Sequence, residues 1–451
     1  MKIKRRCVII YLLIIMVIPS VFPIQSKEND SWNNSVEQKL WGLMKVWAEV
    51  KSNFVYFDQV PDLDWDLHVK KAISDIISTG NRDDYYKMLQ RLITRLHDGH
   101  TYVQSPDGMV FFLTGQYSPP LELQMIEKKI LITRVELSDE IKNQHIVPGF
   151  EIVAIDKIPV KSYFSQKIVP YCSASTLQAR ESFGLLMLLD GKKNTTLQLT
   201  LMNRKGKSRN VTLTRTINYF LGPTFRHRIF HFTPLVKQKW LNDGIVYFNF
   251  STFYSPLIVN EFFDALNKLD MNKIKGMIID VRFNSGGNNE NAHKIISRLI
   301  SKPVQTSKWK TRKYLPAYRS WGKPEKWYEA EPGIIKPAAE KKYNGPLIIL
   351  TGPFTNSAAE DFIIPLKFSK RAILVGEKTA GSTGNPVVCP LPGGGKLYVC
   401  SKRDTYPDGR EFVGFGIQPD ISVQVSQQDI INNFDPVLNR AKKILKNWKK
   451  D

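Results

Sequence analysis

Ser357 stands in LTGPFTNSAAEDF, where the apolar run PLIIL ends at Leu350, a Gly/Pro/Thr/Asn loop follows, and an amphipathic stretch, SAAEDFIIPLKF, begins. A serine on a strand–loop–helix corner can expose its hydroxyl among backbone amides, as a nucleophile in acyl transfer must. The same spacing, Ser357-x-x-Glu360, also reads as a helix capping box. In RLHDGHTYV, the Asp98-Gly99 turn can project His100 toward a pocket. Imidazole keeps a usable lone pair near neutral pH, so it is the usual base for a serine. In IIDVRFNSGGNNEN, Gly286 and Gly287 lie between a strand and a helix start. Glycine allows close backbone approach, and amides at a helix start favour a developing oxyanion. A fourth segment, VGEKTAGSTGNP, holds Glu377, Lys378, Gly381, Ser382 and Gly384. It is not a phosphate-binding loop, because Lys378 does not follow the required glycines. The chain has no G-x-S-x-G and no H-E-x-x-H, which argues against an α/β-hydrolase or a zincin.

The elements that must position these residues change along the chain. Residues 33–115 read as an N-terminal helical region. Leu40, Leu43, Trp47, Val50 and Phe54 recur at helical spacing, as do Tyr85, Leu89, Leu92, Ile93 and Leu96. Trp41, Trp47, Phe54, Tyr56 and Trp65 are expected in its core. Residues 116–215 read as short strands, among them ILITRV, FEIVAI, TTLQLTLM and NVTLTR. VPGFEIVAIDKIPV is a strand, a tight Asp-Lys turn and a second strand; this stretch resembles a PDZ domain, which binds an extended peptide as an added strand. From 235 to 448, strands such as GIVYFNF, GMIIDVRF, PLIIL and AILVGE alternate with helical stretches. That alternation predicts a mainly parallel sheet with helices packed on it. Ligands of such sheets sit beyond the carboxyl ends of the strands. The Gly286 and Ser357 loops both leave such ends.

Composition bounds the rest. A chain of 451 residues can build two or three domains around large cores. Net charge is +22, or +18 without the four basic residues of the first six positions. The basic residues are spread along the chain without a nucleic-acid motif, and no nucleic-acid partner is expected. MKIKRR followed by CVIIYLLIIMVI reads as a signal peptide over residues 1–26, hence export to a periplasm or the outside; an uncleaved membrane anchor is the alternative. Cys389 and Cys400 flank a hairpin around Gly393–Gly395, which allows either a cross-strand disulfide or two thiols. Nothing suggests a metal site or a cofactor.

Taken in order, DGHT, a PDZ-like stretch, IIDVRFNSGG, TNSAAEDF, VGEKTAG and GFGIQPDI resemble the S41 peptidases, the tail-specific (C-terminal processing) proteases and their tricorn-core relatives. The resemblance implies an α/β protease core of the ClpP/crotonase type and a serine peptidase acting on peptide or protein substrates. It makes Ser357 the nucleophile, with Ala358 N–H and an N–H of Gly286 or Gly287 as the oxyanion hole. Asp280 and Arg282 become structural parts of the sheet end. Tail-specific members use a lysine in T-x-G-K-G. Ser382 stands at that position here, so the chain is more similar to the tricorn-type branch, in which a histidine, matched by His100, is the base. The acid that would support it is Glu360 or Glu411, with Asp404 and Asp408 as further options. An inactive peptide- or lipid-binding protein on the same fold is the rival reading, and an acyl hydrolase a third.

Overall fold

The computed structural model describes residues 32–106, 117–218 and 234–448. The predicted signal segment lies outside the described residues. Helices α1 (Val36–Asn53), α2 (Trp65–Ile77) and α3 (Arg82–Ile93) open the described chain. Ser35, Asp64 and Asn81 cap them by accepting from the backbone N–H groups of Gln38, Leu67 and Asp84. Caps of this kind are worth about 1 kcal/mol each. Phe54, Tyr56 and Trp65 are buried as the spacing predicts. Trp41 and Trp47 are not; they lie on the outer side of α1, 50% and 38% exposed. Helical spacing marks which residues share a face but not whether a neighbour covers it. After α3 the chain turns through His97, which is left-handed (φ 51°), and enters strand β1 (Tyr102–Gln104).

Strands β2 (Leu121–Ile126), β3 (Lys129–Val135), β4 (Glu151–Ile155), β5 (Thr196–Met202) and β6 (Ser208–Thr214) form an antiparallel sheet in chain order. Helix α4 (Leu177–Met187) packs beside the edge strand β2. Asp156 and Lys157 both have positive φ, 48° and 68°, the twist-compatible geometry of a two-residue hairpin.

The third region begins with β7 (Val236–Leu241), β8 (Ile245–Phe250), helix α5 (Leu257–Lys268), β9 (Gly276–Asp280) and α6 (Asn289–Ser297). It continues with β10 (Lys308–Lys313), β11 (Lys326–Ala330), β12 (Leu347–Thr351), α7 (Ala358–Phe368) and β13 (Ile373–Gly376). It ends with β14 (Val387–Pro390), β15 (Lys396–Val399), β16 (Arg403–Thr405), β17 (Ile421–Ser422) and α8 (Pro436–Lys446). The main sheet runs β7-β8-β9-β12-β13-β17, and only the β7–β8 pair is antiparallel. Every residue of β9 and β12 is buried, which explains why these strands read as unbroken apolar runs. Val246, Phe248, Met277 and Ile349 face the phenylalanines of α5 and α7, whereas Ile245, Ile278, Ile348 and Val375 face α8.

Two features hold the regions together. β1 pairs with β15 in a small sheet, Val103 opposite Leu397, so the strand that follows His100 belongs to the C-terminal half. At the carboxyl end of β9, Arg282 bridges Asp280 (2.7 Å) and Asp435 (2.8 Å), and Tyr247 donates to Asp280 (2.7 Å). In the small sheet Cys389 lies opposite Leu397, not Cys400, so the register excludes a cross-strand disulfide and both cysteines are free.

Removing Arg282 leaves Asp280 buried without its cation, at a cost on the order of 3–5 kcal/mol. An Arg282→Ala variant is expected to lose that much in a urea titration that follows the core transition, and a midpoint equal to the parent's refutes the structural role.

Candidate functional site

The site forms where the loops leaving β9 and β12 meet the turn before β1 and the segment after β13. Thr355 ties the two strand-end loops together, since its buried hydroxyl donates to Val281 O (2.8 Å) while Asn356 N donates to Asn284 O (3.1 Å). Ser357 follows with φ 56° and ψ −127°, a conformation that costs a non-glycine residue on the order of 1–3 kcal/mol. Its hydroxyl makes no capping bond to α7. The capping-box reading is therefore corrected, because Glu360 turns inward instead of reaching back to Ser357. The Ser357 Oγ instead lies 3.0 Å from His100 Nε2.

His100 reaches this point from the turn the sequence predicts. Asp98 accepts from His100 N (3.2 Å) and Thr101 Oγ1 (2.7 Å), which closes the loop beneath the ring. The other ring nitrogen, Nδ1, lies 2.8 Å from Ser382 Oγ. For Nε2 to accept the Ser357 proton, the ring proton sits on Nδ1 and is donated to Ser382. Burial, with the nearby Lys402 ammonium second, pushes His100 down to about 4.

Glu360 lies in the first turn of α7 and is fully buried. One oxygen accepts from Thr379 Oγ1 and Gly381 N (2.8 Å), the other from Ser382 N (2.8 Å). Burial raises its pKa to about 8 against the pull of those three donors. The 379–382 loop thus receives Glu360, and in turn Ser382 O accepts from Ser357 N (2.9 Å). The start of α4 braces the same loops from the antiparallel region. Ser175 Oγ accepts from Gly99 N (3.0 Å), Thr176 Oγ1 donates to Ala380 O (2.9 Å), and Gln178 Nε2 donates to Thr379 O (3.0 Å).

The glycine loop packs directly on the serine: a Cβ on Gly286 would stand 2.7 Å from Ser357 Cβ and 2.9 Å from Ala358 N. The two glycines differ in one decisive way. Gly286 N–H donates to Asn284 Oδ1 (2.9 Å) and is spent within its own loop. The N–H groups of Gly287 and Ala358 have no acceptor among the described residues.

The other acid candidates do not reach the histidine. Glu411 accepts from Arg403 Nε (2.9 Å), Asp404 pairs with Lys402 (3.0 Å) and Thr383 Oγ1 (2.8 Å), and Asp408 pairs with Arg410 at the surface. Ser382 is the partner that sequence reasoning missed. In sequence it stands out as part of the VGEKTAGSTGNP loop and as the residue where tail-specific members carry a lysine, and its approach to a histidine 282 residues away has no sequence signature. Lys378 is exposed. Lys402, also missed, is held as an ammonium by Asp404, which raises its pKa.

Residues 244–423 match the family model for peptidase family S41. The chain is 25% identical over 178 residues to a carboxy-terminal-processing protease of Bartonella bacilliformis, a match covering 40% of this chain and 38% of that protein. It is 22% identical over 369 residues to a protein of Staphylococcus epidermidis named Probable CtpA-like serine protease, covering 80% of this chain and 67% of the relative. Among solved structures, mature CPAF superposes with a TM-score of 0.72 at 15% identity, covering 92% of this chain and 99% of that one, a likeness of fold.

Two measurements probe the geometry. Gly286 has φ 101° and no room for a Cβ, so Gly286→Ala is expected to displace Ser357 and abolish its contact with His100; an unchanged crystal geometry refutes the close-packing account. The folded pKa of His100 lies below its unfolded value, so between pH 6.5 and about 4 the unfolded chain binds the extra proton and stability falls with acidification. Nitrogen-15 NMR at pH 5.5 should find the ring still neutral; a protonated ring contradicts the assignment.

Proposed function

Because the chain belongs to peptidase family S41, with the matched core at residues 244–423, we propose that it is a serine peptidase with Ser357 as nucleophile and His100 as general base. The observation that carries this reading is the 3.0 Å contact between Ser357 Oγ and His100 Nε2, on a serine whose strained backbone frees its hydroxyl from capping. His100 takes the Ser357 proton as Oγ attacks the peptide carbonyl. The oxyanion is received by the N–H groups of Ala358 and Gly287, and Gly286 contributes by its shape rather than by its amide. His100 then gives the proton to the leaving amine, and water activated by the same ring releases the acyl group. Ser382 Oγ accepts from Nδ1–H, fixing the tautomer and steadying the imidazolium by a dipole where other serine peptidases place a carboxylate. Glu360 works one step back, holding the loop that carries Ser382.

A histidine base with no loop lysine supports a reading nearer the tricorn-type branch than the tail-specific one. Residues 116–215 act as a PDZ-like unit, with edge strand β2 beside α4 offering an extended peptide the groove that strand addition requires. The basic-then-apolar segment at 1–26 supports export. Substrates are peptides or proteins, cleaved internally or near a carboxyl end. An inactive binding protein has no need of a strained serine in hydrogen-bond reach of a neutral imidazole, which disfavours that alternative.

The test is steady-state cleavage of a peptide library by the full chain and three variants. Ser357→Ala and His100→Ala are each expected to lower kcat/KM by at least about 10³-fold, as when one member of a coupled unit is removed. Ser382→Ala keeps the backbone bonds of residue 382, so a smaller loss, about 10- to 100-fold and mostly in kcat, is expected. Retention of full activity by Ser357→Ala would falsify the proposal.

A further inference from the structure

Residues 308–331 form a ribbon in which no residue is buried, yet six are aromatic: Trp309, Tyr314, Tyr318, Trp321, Trp327 and Tyr328. β10 and β11 are its two strands, and β16 is the strand that ties it to the body. Tyr314 is 81% exposed and Trp321 63%. Trp327 packs on the main core and Trp309 and Tyr318 are half-buried, but Tyr314, Trp321 and Tyr328 stand exposed together, and folded chains rarely leave such a cluster without a use for it. The charge is equally one-sided. Three glutamates are taken up by Lys308 (3.5 Å to Glu329, 3.9 Å to Glu331) and Arg312 (3.4 Å to Glu325). Lys310, Lys313, Arg319, Lys323 and Lys326 have no ion-pairing carboxylate among the described residues. Lys310 lies over Trp327, Lys323 over Tyr318 and Trp321, and Lys326 over Tyr318.

This surface continues onto α1. Arg312 donates to Lys51 O (3.0 Å), and Lys51 lies over Trp47, both of them also bonded to Asp66 of α2 (2.5 and 2.7 Å). Trp41 and Met44, both exposed, follow on the same helix, with Lys45 over Trp41. In the sequence, the apolar N-terminal run ends at Ile24, a dozen residues before α1. Basic and aromatic side chains thus lie together on this surface, within a charge that is otherwise spread along the chain.

We propose that this ribbon and the outer face of α1 form a docking surface for an anionic phospholipid bilayer. Tryptophan and tyrosine seat their rings at headgroup depth, and lysine and arginine extend their charges to the phosphates. Each cation near an anionic leaflet contributes on the order of 1 kcal/mol. A ribbon whose exposed aromatics and cations lie outside any groove suits a flat partner; single-stranded nucleic acid requires a groove that tracks its backbone. The proposal stands apart from the peptidase reading, since it uses none of the catalytic residues.

The experiment is flotation of the full chain with vesicles of phosphatidylcholine alone or mixed with phosphatidylglycerol. The N-terminal segment is common to every protein compared, so differences report the ribbon. Lys313→Glu/Lys323→Glu/Lys326→Glu is expected to lower partitioning onto the anionic vesicles by more than about tenfold. Tyr314→Ala/Trp321→Ala should weaken it several-fold. Arg204→Glu/Lys205→Glu/Lys207→Glu, which makes the same charge change in the exposed β5–β6 turn, should leave it near the parent value. Hydrolysis of a soluble peptide by the ribbon variants should be unchanged, which also reports that they fold. Equal partitioning by the ribbon and control variants overturns the proposal. So does a ribbon variant that keeps vesicle binding while losing affinity for single-stranded DNA or heparin, since that assigns the surface to a polyanion in solution.

Discussion

The site depends on one buried carboxylate. Glu360 sits three residues after Ser357, on the first turn of α7, and all three of its donors come from residues 379–382. Other bonds brace that loop, among them those from Thr176, Gln178 and Ile417, but Glu360 alone ties three of its groups directly to the helix that begins at the nucleophile. Once it is held, Ser382 O fixes Ser357 N, and Ser382 Oγ fixes the His100 ring. Loss of a buried acceptor with three donors leaves each donor unsatisfied, which costs far more than the net worth of the bonds. The helix that begins at the serine therefore also sets the orientation of the group that activates it.

Strain and bracing belong to the same design. Ser357 adopts a backbone conformation that opposes folding, and it persists because its own N–H is held by Ser382 O and the preceding Asn356 N–H by Asn284 O. Those loops come from distant parts of the chain. β1 carries His100 into the C-terminal sheet, Asn284 and Thr355 join the ends of two parallel strands, and Ser175, Thr176 and Gln178 press the antiparallel region against both the His100 turn and the 379–382 loop. A displacement of α4 would therefore reach the base and its partner together.

Much of this was legible in the residues. Parallel strands buried on both faces must be continuous apolar runs, so PLIIL and GMIID announced the core. Ser357 and His100 each sat at a turn that only a few side chains suit. What escaped the sequence was the use made of groups with two outlets. Glu360 could bond back to its helix start or inward to another loop, and the donors of the buried 379–382 loop decided for inward. Gly286 and Gly287 look alike in sequence, yet Asn284 occupies one amide and leaves the other. Trp41 and Trp47 fit a helical core pattern, but they stay 50% and 38% exposed, the Trp47 ring meeting α2 at its edge through Asp66.

The central claim is that Ser357 is a nucleophile because His100 is poised to deprotonate it. The most direct measurement is the site and rate of modification by a fluorophosphonate, located by tandem mass spectrometry. The account predicts a single adduct on Ser357 that forms rapidly in the parent protein and becomes undetectable on the same timescale in His100→Ala. An adduct on another serine, or labelling of Ser357 at an unchanged rate without His100, would contradict it.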